Sequence, residues 1–158
     1  EHGFSKSRIG IATVNRLRVR AELAHLDGRI VIDRDKPMAA TLAAQRLLKR
    51  NGIVSITAGA WEGQRLAKVD LLGGKLELAV GAPGLARLSG AALLPVFAVR
   101  GDDGALRVTV EPPMSITNVR DADDALQDAA RRFGERLEPW IRRHPAQWRD
   151  WKSLRLPG

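Results

Sequence analysis

A short loop at positions 58–65 carries two side chains of opposite charge. Glu62 and Arg65 are three residues apart, and the small residues Gly59 and Gly63 accompany them. A buried strand that ends in a polar, glycine-containing loop is a common position for a binding site in α/β proteins. We therefore interpret Glu62 and Arg65 as candidate substrate-binding residues. The equally weighted alternative is an ion pair between them on the surface, which would stabilise the fold only weakly.

The three histidines are the other side chains suited to acid–base chemistry at neutral pH: His2, His25 and His144. None of them has a serine at the spacing of a known catalytic motif, and the chain has no cysteine. Their mutual spacing also fits no zinc motif, and the glycines fit neither a phosphate-binding loop nor a dinucleotide fingerprint. The sequence therefore predicts no catalytic residue, no metal site and no cofactor within this chain.

The composition is that of an ordinary globular domain, with 158 residues of which 44% are hydrophobic and 28% charged. The net charge of +8 and the pI of about 10.9 favour an acidic partner. Nucleic acid, an anionic membrane surface and an acidic carrier protein all qualify, and a plain contribution to solubility is the alternative. No apolar run reaches the ~18 residues that span a bilayer.

The residues before the loop predict a strand, a helix and a second strand. Residues 29–33 and residues 53–57 are short runs rich in β-branched side chains. Between them, Pro37 suits the first turn of a helix, and Asn51-Gly52 suits its end. Strands joined through a helix pair in parallel with a right-handed crossover. The expected fold class is therefore α/β, with a mixed, largely parallel sheet flanked by helices.

The residues after the loop predict shorter elements. A short strand is expected at residues 65–72, and a further strand or an extended segment at residues 75–80. A helix at residues 83–88, stopped by Gly90, precedes a buried strand at residues 91–99. A Gly-Asp-Asp-Gly hairpin turn at residues 101–104 then leads to a returning strand at residues 106–110.

The clearest predicted helix covers residues 121–143. It has an apolar stripe, acidic residues at its start and arginines at its end, as the helix dipole prefers. Trp140, Trp148 and Trp151 lie at and after its end. We favour packing against the core for these tryptophans over a role at a membrane interface.

Several segments share residue types and order with a known family. They read LLPVFAVR at residues 93–100, DDG at 102–104, VTVEPP at 108–113 and IRRHPAQW at 141–148. Residues 81–91 add a fifth similar segment. Together they resemble the C-terminal portion of the lysophospholipid and lipid A biosynthesis acyltransferases of the lauroyl/myristoyl type. The resemblance extends over most of residues 30–151.

The resemblance implies transfer of a fatty acyl chain from a carrier thioester to a hydroxyl of a lipid or glycolipid. Acyl-ACP or acyl-CoA would be the donor substrate, without a cofactor. The implied partners are the lipid or glycolipid acceptor, the carrier protein or CoA thioester and a membrane surface, whereas nucleic acid is not expected. The implied location is peripheral, at the cytoplasmic face of the bacterial inner membrane. Arg8, Glu62 and Arg65 are the implied substrate-binding residues.

The chain departs from the family at the catalytic motif, a histidine followed five positions later by an acidic residue. In that pair the carboxylate orients the imidazole, which takes the proton of the acceptor hydroxyl. Here the three histidines are followed at that position by a serine, an isoleucine and an arginine. We therefore expect residues 1–158 to be a single α/β domain from the C-terminal part of a longer acyltransferase, inactive alone, with the catalytic histidine upstream.

Two functions of other classes stay open. The first is a basic α/β module that binds nucleic acid or another polyanion. Only the basic charge supports it. The lack of an aromatic stacking strand and of a recognition motif counts against it. The second is a non-catalytic subunit that completes the fold of a neighbouring chain.

Overall fold

The computed structural model describes residues 13–32, 37–58, 65–116 and 121–157. The chain divides into two compact units, Glu1–Ala43 and Ala44–Gly158, each of which is described by itself. The described elements combine helices with two small sheets, and a long helix lies near the C-terminus. The predicted mixture of α and β structure is confirmed. The single domain over the whole chain stays a prediction.

Helix α1 spans Val14–Leu23 and has no buried residue. Arg18 donates to Glu22 over 2.7 Å, one turn further on. Arg29 approaches the other oxygen of the same carboxylate at 3.4 Å. Exposed ion pairs of this kind contribute little to stability.

Helix α2 spans Pro37–Lys49, so it begins at the predicted proline. Asn51, just beyond its end, has a φ of 60°, in the left-handed region. The Gly52 N–H donates to the Leu47 carbonyl at 3.0 Å. This is the way in which helices commonly satisfy their last carbonyls. The predicted end of the helix at Asn51-Gly52 is confirmed.

The strands predicted on the two sides of α2 are not formed. Residues 29–32 and 53–57 pair with no strand among the described residues, and residue 33 lies outside them. Ile53 is 91% exposed, so the burial expected for residues 53–57 is also wrong. β-Branched residues favour extended backbone, but a strand requires a neighbour that takes its hydrogen bonds. Among the described residues no strand supplies those hydrogen bonds to either segment.

The first hairpin consists of β1 (Leu66–Leu71) and β2 (Gly74–Ala79), which pair antiparallel along their whole length. Apolar residues alternate along both strands, so that one face is buried. The turn residues Leu72 and Gly73 both have positive φ, 52° and 77°, as a two-residue turn of this type requires. The short strand predicted at residues 65–72 is confirmed, and of the two alternatives for residues 75–80 the strand is the one that forms.

Helix α3 (Gly81–Ser89) follows at once and ends at Gly90, whose φ of 73° stops it as predicted. The second hairpin consists of β3 (Val96–Arg100) and β4 (Leu106–Val110), again antiparallel. The Gly-Asp-Asp-Gly turn predicted between them is confirmed. The first of these two strands begins later than the sequence predicts.

Both sheets are antiparallel, so the prediction of a largely parallel sheet is wrong for the described part of the chain. Connection length is the reason. Two residues join β1 to β2 and five join β3 to β4. Connections this short reverse the direction of the chain, whereas a parallel pair needs a crossover of about a dozen residues. Helix α2 could supply such a crossover, but the segments at its two ends do not pair.

Helix α4 (Ala122–Arg143) is the longest element and lies against the first hairpin. The Asp121 carboxylate caps it by accepting a hydrogen bond from the Asp123 N–H at 2.7 Å. The helix predicted at residues 121–143 is confirmed. The core between hairpin and helix consists of Ala67, Val69, Leu71, Leu76, Leu78, Val80, Leu126, Ala130 and Ile141.

Aromatic rings connect α4 to the inner face of the second hairpin. The Phe97 ring stacks on Trp140 with a centroid distance of 5.0 Å and on Phe133 with 6.1 Å. The Trp140 indole N–H donates to the Glu111 carboxylate at 3.0 Å, so its polar atom is satisfied. The stacked rings therefore fix the hairpin to the helix.

Two short 3₁₀ helices, Pro145–Gln147 and Asp150–Ser153, form most of the tail. Trp148 packs against the core, and the Trp151 ring meets the Trp148 ring edge-on with a centroid distance of 4.8 Å. The packing role favoured for the tryptophans is thus confirmed for Trp140 and Trp148. Of the helices that the structure describes, none has both the length and the apolar character needed to cross a bilayer.

Candidate functional site

Arg65 is the predicted substrate-binding residue that the structure describes. Its carbonyl accepts a hydrogen bond from the Val80 N–H at 3.2 Å, which fixes it beside the first hairpin. Its guanidinium forms an ion pair with Asp123 in the first turn of α4. Hairpin and helix together therefore determine its position. Arg8 and Glu62 lie outside the described residues, so their roles stay predictions.

A cavity of about 300 Å³ opens beside this ion pair, and we call it the Arg65 cavity. Its lining is half apolar and half polar. The apolar part is formed by Leu66, Ala67, Val80 and Leu126, and the polar part by Arg65, Asp123, Asp124 and Gln127. Small-molecule sites commonly combine an apolar lining with a few convergent polar groups. The cavity therefore suits a polar head group attached to an apolar portion.

The ion pair in the Arg65 cavity is open to water, with the side chains of Arg65 and Asp123 56% and 71% exposed. Such a pair contributes at most about 1 kcal/mol. A ligand phosphate or carboxylate can therefore compete with Asp123 for the guanidinium. The planar guanidinium would then bind two ligand oxygens at once.

Sequence reasoning missed Asp123 as the partner of Arg65. It assigned the acidic residues at the start of α4 to the helix dipole, although one of them, Asp121, is enough to cap the helix. Besides Asp121, the first turn contains Asp123 and Asp124, and these additional carboxylates were the available signal for a partner outside the helix. Gln127, a further polar lining residue from α4, is held by a hydrogen bond that its amide donates to the Lys68 carbonyl.

A second cavity, of about 400 Å³, lies between the tip of the second hairpin and the end of α4. From the sequence, these residues belong to the predicted turn, to the strands beside it and to the family-like segment at residues 141–148, and no site was predicted there. The lining consists of Arg100, Gly101, Asp102, Asp103, Arg107, His144 and Gln147.

The polar groups of this second cavity are largely bound to one another. Arg107 donates two hydrogen bonds to Asp103, at 2.6 and 3.1 Å. Arg107, followed by the Ala105 N–H, lowers the pKa of the Asp103 carboxyl. The Gln147 amide accepts from the Arg100 N–H and donates to the Arg100 carbonyl, both at 2.8 Å. These contacts stabilise the turn and attach it to the tail, so we interpret the second cavity as structural.

A family model described as bacterial lipid A biosynthesis acyltransferase matches residues 27–152, most of the chain. The chain belongs to this family. The resemblance found in the sequence is thereby confirmed. A search of curated proteins gave no match.

The part of this acyltransferase-family chain that matches includes both hairpins, α4 and the Arg65 cavity, whereas Arg8 precedes it. His25 follows α1 and is exposed, and the His144 ring stacks on Trp140 at 6.4 Å. The described residues hold no group of three or more histidine, cysteine or acidic side chains that could bind a metal ion. What the Arg65 cavity offers chemically is recognition of a polar group by a guanidinium and carboxylates.

Proposed function

We propose that this chain forms the substrate-binding and scaffold part of an acyltransferase. The enzyme moves a fatty acyl chain from the thioester of an acyl carrier protein or of CoA to a hydroxyl of a lipid or glycolipid. The observation that supports this best is the family match over residues 27–152. The thioester is already activated, so the reaction requires no cofactor.

The reaction needs a base. The acceptor oxygen attacks the thioester carbonyl, and its proton passes to the base. The C–S bond then breaks, and the departing thiolate takes that proton from the base to leave as the thiol. In our proposal the base is a histidine oriented by an acidic residue, on a segment upstream of Glu1. The spacing of the three histidines in this chain supports that placement, because none has an acidic residue five positions on.

Arg65 has the role of binding an anionic group of the acceptor, such as a phosphate. Its exposed pair with Asp123 and the apolar lining beside it support this role. Glu62 and Arg8 are proposed as further substrate-binding residues, with Glu62 accepting hydrogen bonds from acceptor hydroxyls. Their positions in the loop before Arg65 and near the start of the chain motivate the assignment.

The proposed place of action is the cytoplasmic face of the bacterial inner membrane, where the protein binds peripherally. The net charge of +8 supports this, since anionic lipids attract basic protein surfaces. The same charge favours an acidic carrier protein as the source of the acyl chain.

An acyl-transfer assay tests the catalytic part. A labelled acyl thioester and a glycolipid acceptor are incubated with the 158-residue chain and with a longer polypeptide that adds the preceding histidine-bearing segment. We expect transfer by the longer polypeptide alone, and its loss when that histidine is replaced by alanine. Transfer by the shorter chain would show that the base has been misplaced. Failure of the longer polypeptide would contradict the acyltransferase function.

A binding measurement tests Arg65 separately. Arg65→Met should weaken binding of a short-chain phosphorylated glycolipid by about 10–100-fold, the value of one or two charge-assisted hydrogen bonds. Lys68→Met is the matched control, because Lys68 is an exposed cation of the same hairpin that does not line the cavity. Equal losses in the two variants would indicate a general charge effect and remove the specific role of Arg65.

A further inference from the structure

The second hairpin presents an aliphatic face to solvent. Val96 lies opposite Val110, and Ala98 lies opposite Val108, so these four side chains share one face. Leu106 continues this face at one end, and the alternation of exposure extends it to Leu94 at the other. We call this face the outer strip: Leu94, Val96, Ala98, Leu106, Val108 and Val110.

On β4, the inner face of the same hairpin carries polar side chains and not aliphatic ones. Phe97 turns inward onto the rings of α4, but its partner across the hairpin is Thr109. Arg107 lies on that inner face as well. Antiparallel strands normally direct their apolar residues to the buried side and their polar residues to water. On β4 the apolar residues all lie on the side away from α4, so the sequence of this strand fits burial of the outer strip.

The exposed area of the outer strip is large for a chain of this size. Its leucines and valines are 44–59% exposed. Together with Ala98 they present on the order of 500 Å² of apolar surface, near the upper end of the largest patches on monomeric proteins. Arg100, the cross-strand partner of Leu106, lies on the same face and is the charged residue at that end of the strip.

We propose that the outer strip is the interface between two copies of this chain, packed face to face about a two-fold axis. Two such strips would bury on the order of 1,000 Å² in total, which is the lower size of a specific protein interface. An identical strip supplies the uncharged aliphatic counter-face that this surface fits, and sheets readily pack on one another in this way. The strip has none of the tryptophans, tyrosines and lysines typical of a surface that lies on lipid. This inference does not depend on the proposed acyl transfer.

Two neighbouring substitutions on β4 test the interface. Val108→Glu places a carboxylate in the outer strip, and Thr109→Glu places the same group on the inner face, where the residue is also exposed. Sedimentation equilibrium over micromolar to submillimolar concentrations gives the dimer dissociation constant of each protein. We expect a dimer for the unaltered chain and for Thr109→Glu. In Val108→Glu the dissociation constant should rise about a hundredfold or more, because each copy would bury an unpaired charge.

A milder variant and a second measurement keep the test independent of folding. Val96→Ser should raise the dissociation constant about tenfold, and circular dichroism should show unchanged helix content in all three variants. The proposal is overturned if the unaltered chain is monomeric throughout, or if the two glutamate variants weaken association equally. It is also overturned if the chain stays monomeric but binds vesicles of phosphatidylcholine and phosphatidylglycerol through the strip. In that case Val108→Glu would abolish vesicle binding.

Discussion

Glu138 connects helix α4 to the turn of the first hairpin. One of its oxygens accepts from the Leu72 N–H at 3.0 Å, and the other accepts from the Arg142 guanidinium at 2.6 and 2.9 Å. Leu72 has a φ of 52°, an uncommon value for a residue with a branched side chain. The carboxylate therefore satisfies the N–H of a residue held in an unfavourable conformation. We predict that Glu138→Ala lowers the free energy of unfolding.

The size of the loss follows from the two contacts. A buried N–H left without an acceptor costs about 1–3 kcal/mol. The Glu138 side chain is 29% exposed, so water partly replaces the lost contact and the value falls in the lower half of that range. The helical pair with Arg142 adds about 0.3–0.5 kcal/mol. The expected total is about 1.3–2.5 kcal/mol, or a fall in Tm of about 3–10 °C for a chain of this length.

The same contacts make stability depend on pH. The Leu72 N–H, and after it the Arg142 guanidinium, hold the pKa of Glu138 below its ordinary value of 4.5. A carboxyl with a depressed folded pKa stabilises the fold above its unfolded pKa, and this contribution is lost as the pH falls through the folded pKa. The stability difference between the unaltered chain and Glu138→Gln should thus be complete at neutral pH and shrink below about pH 4.5.

Urea unfolding followed by circular dichroism measures these differences at neutral and at acidic pH. Arg142→Met is the matched control, because it removes the helical ion pair and leaves the bond from Leu72 intact. The control should lose no more than about 0.5 kcal/mol. Equal losses for Glu138→Ala and Arg142→Met would refute the role given to Leu72. A difference between Glu138→Gln and the unaltered chain that stays constant into acid would refute the pH argument.

Three further predictions concern helix α4 and the choice of partner. Gly134→Ala should raise the free energy of unfolding by about 0.5–1 kcal/mol in thermal melts, because the added Cβ would meet Val69 at an ordinary 3.5 Å; a loss would show that the contact is too tight. Asp121→Ala should cost about 1 kcal/mol by the same measurement, since it removes the cap of α4; no change would mean that another group caps the helix. Fluorescence anisotropy should find no salt-sensitive binding of duplex or single-stranded nucleic acid, and a steep salt dependence would favour the polyanion-binding alternative.

The elements that the sequence predicted well are those whose signals are local. Helix α4 carries its dipole charges and its apolar stripe within residues 121–143, and the turn between β3 and β4 has its own Gly-Asp-Asp-Gly turn residues. The failures at residues 29–33 and 53–57 have the opposite cause. Their β-branched composition favours extended backbone, but pairing depends on a partner elsewhere in the chain. Sequence periodicity contains no information on whether that partner is present.

The sequence predicted only a part of the candidate site. Arg65 was identified because a charged residue followed a small-residue loop. Asp123 was not, because it is distant in sequence and has a sufficient local explanation at the start of a helix. The packing of α4 against the first hairpin brings the two together, and only tertiary structure shows that contact.

The contact between Gln147 and Arg100 also determines where the second sheet can grow. The N–H and carbonyl of Arg100 point away from β4, and the Gln147 amide takes both of them. A free strand edge is a template on which a foreign strand can add and on which aggregation can begin. At this position the Gln147 side chain takes the two hydrogen bonds that a further strand would form with Arg100, so a strand cannot add there. The tail of the acyltransferase-family chain therefore blocks strand addition at Arg100, the last residue of β3.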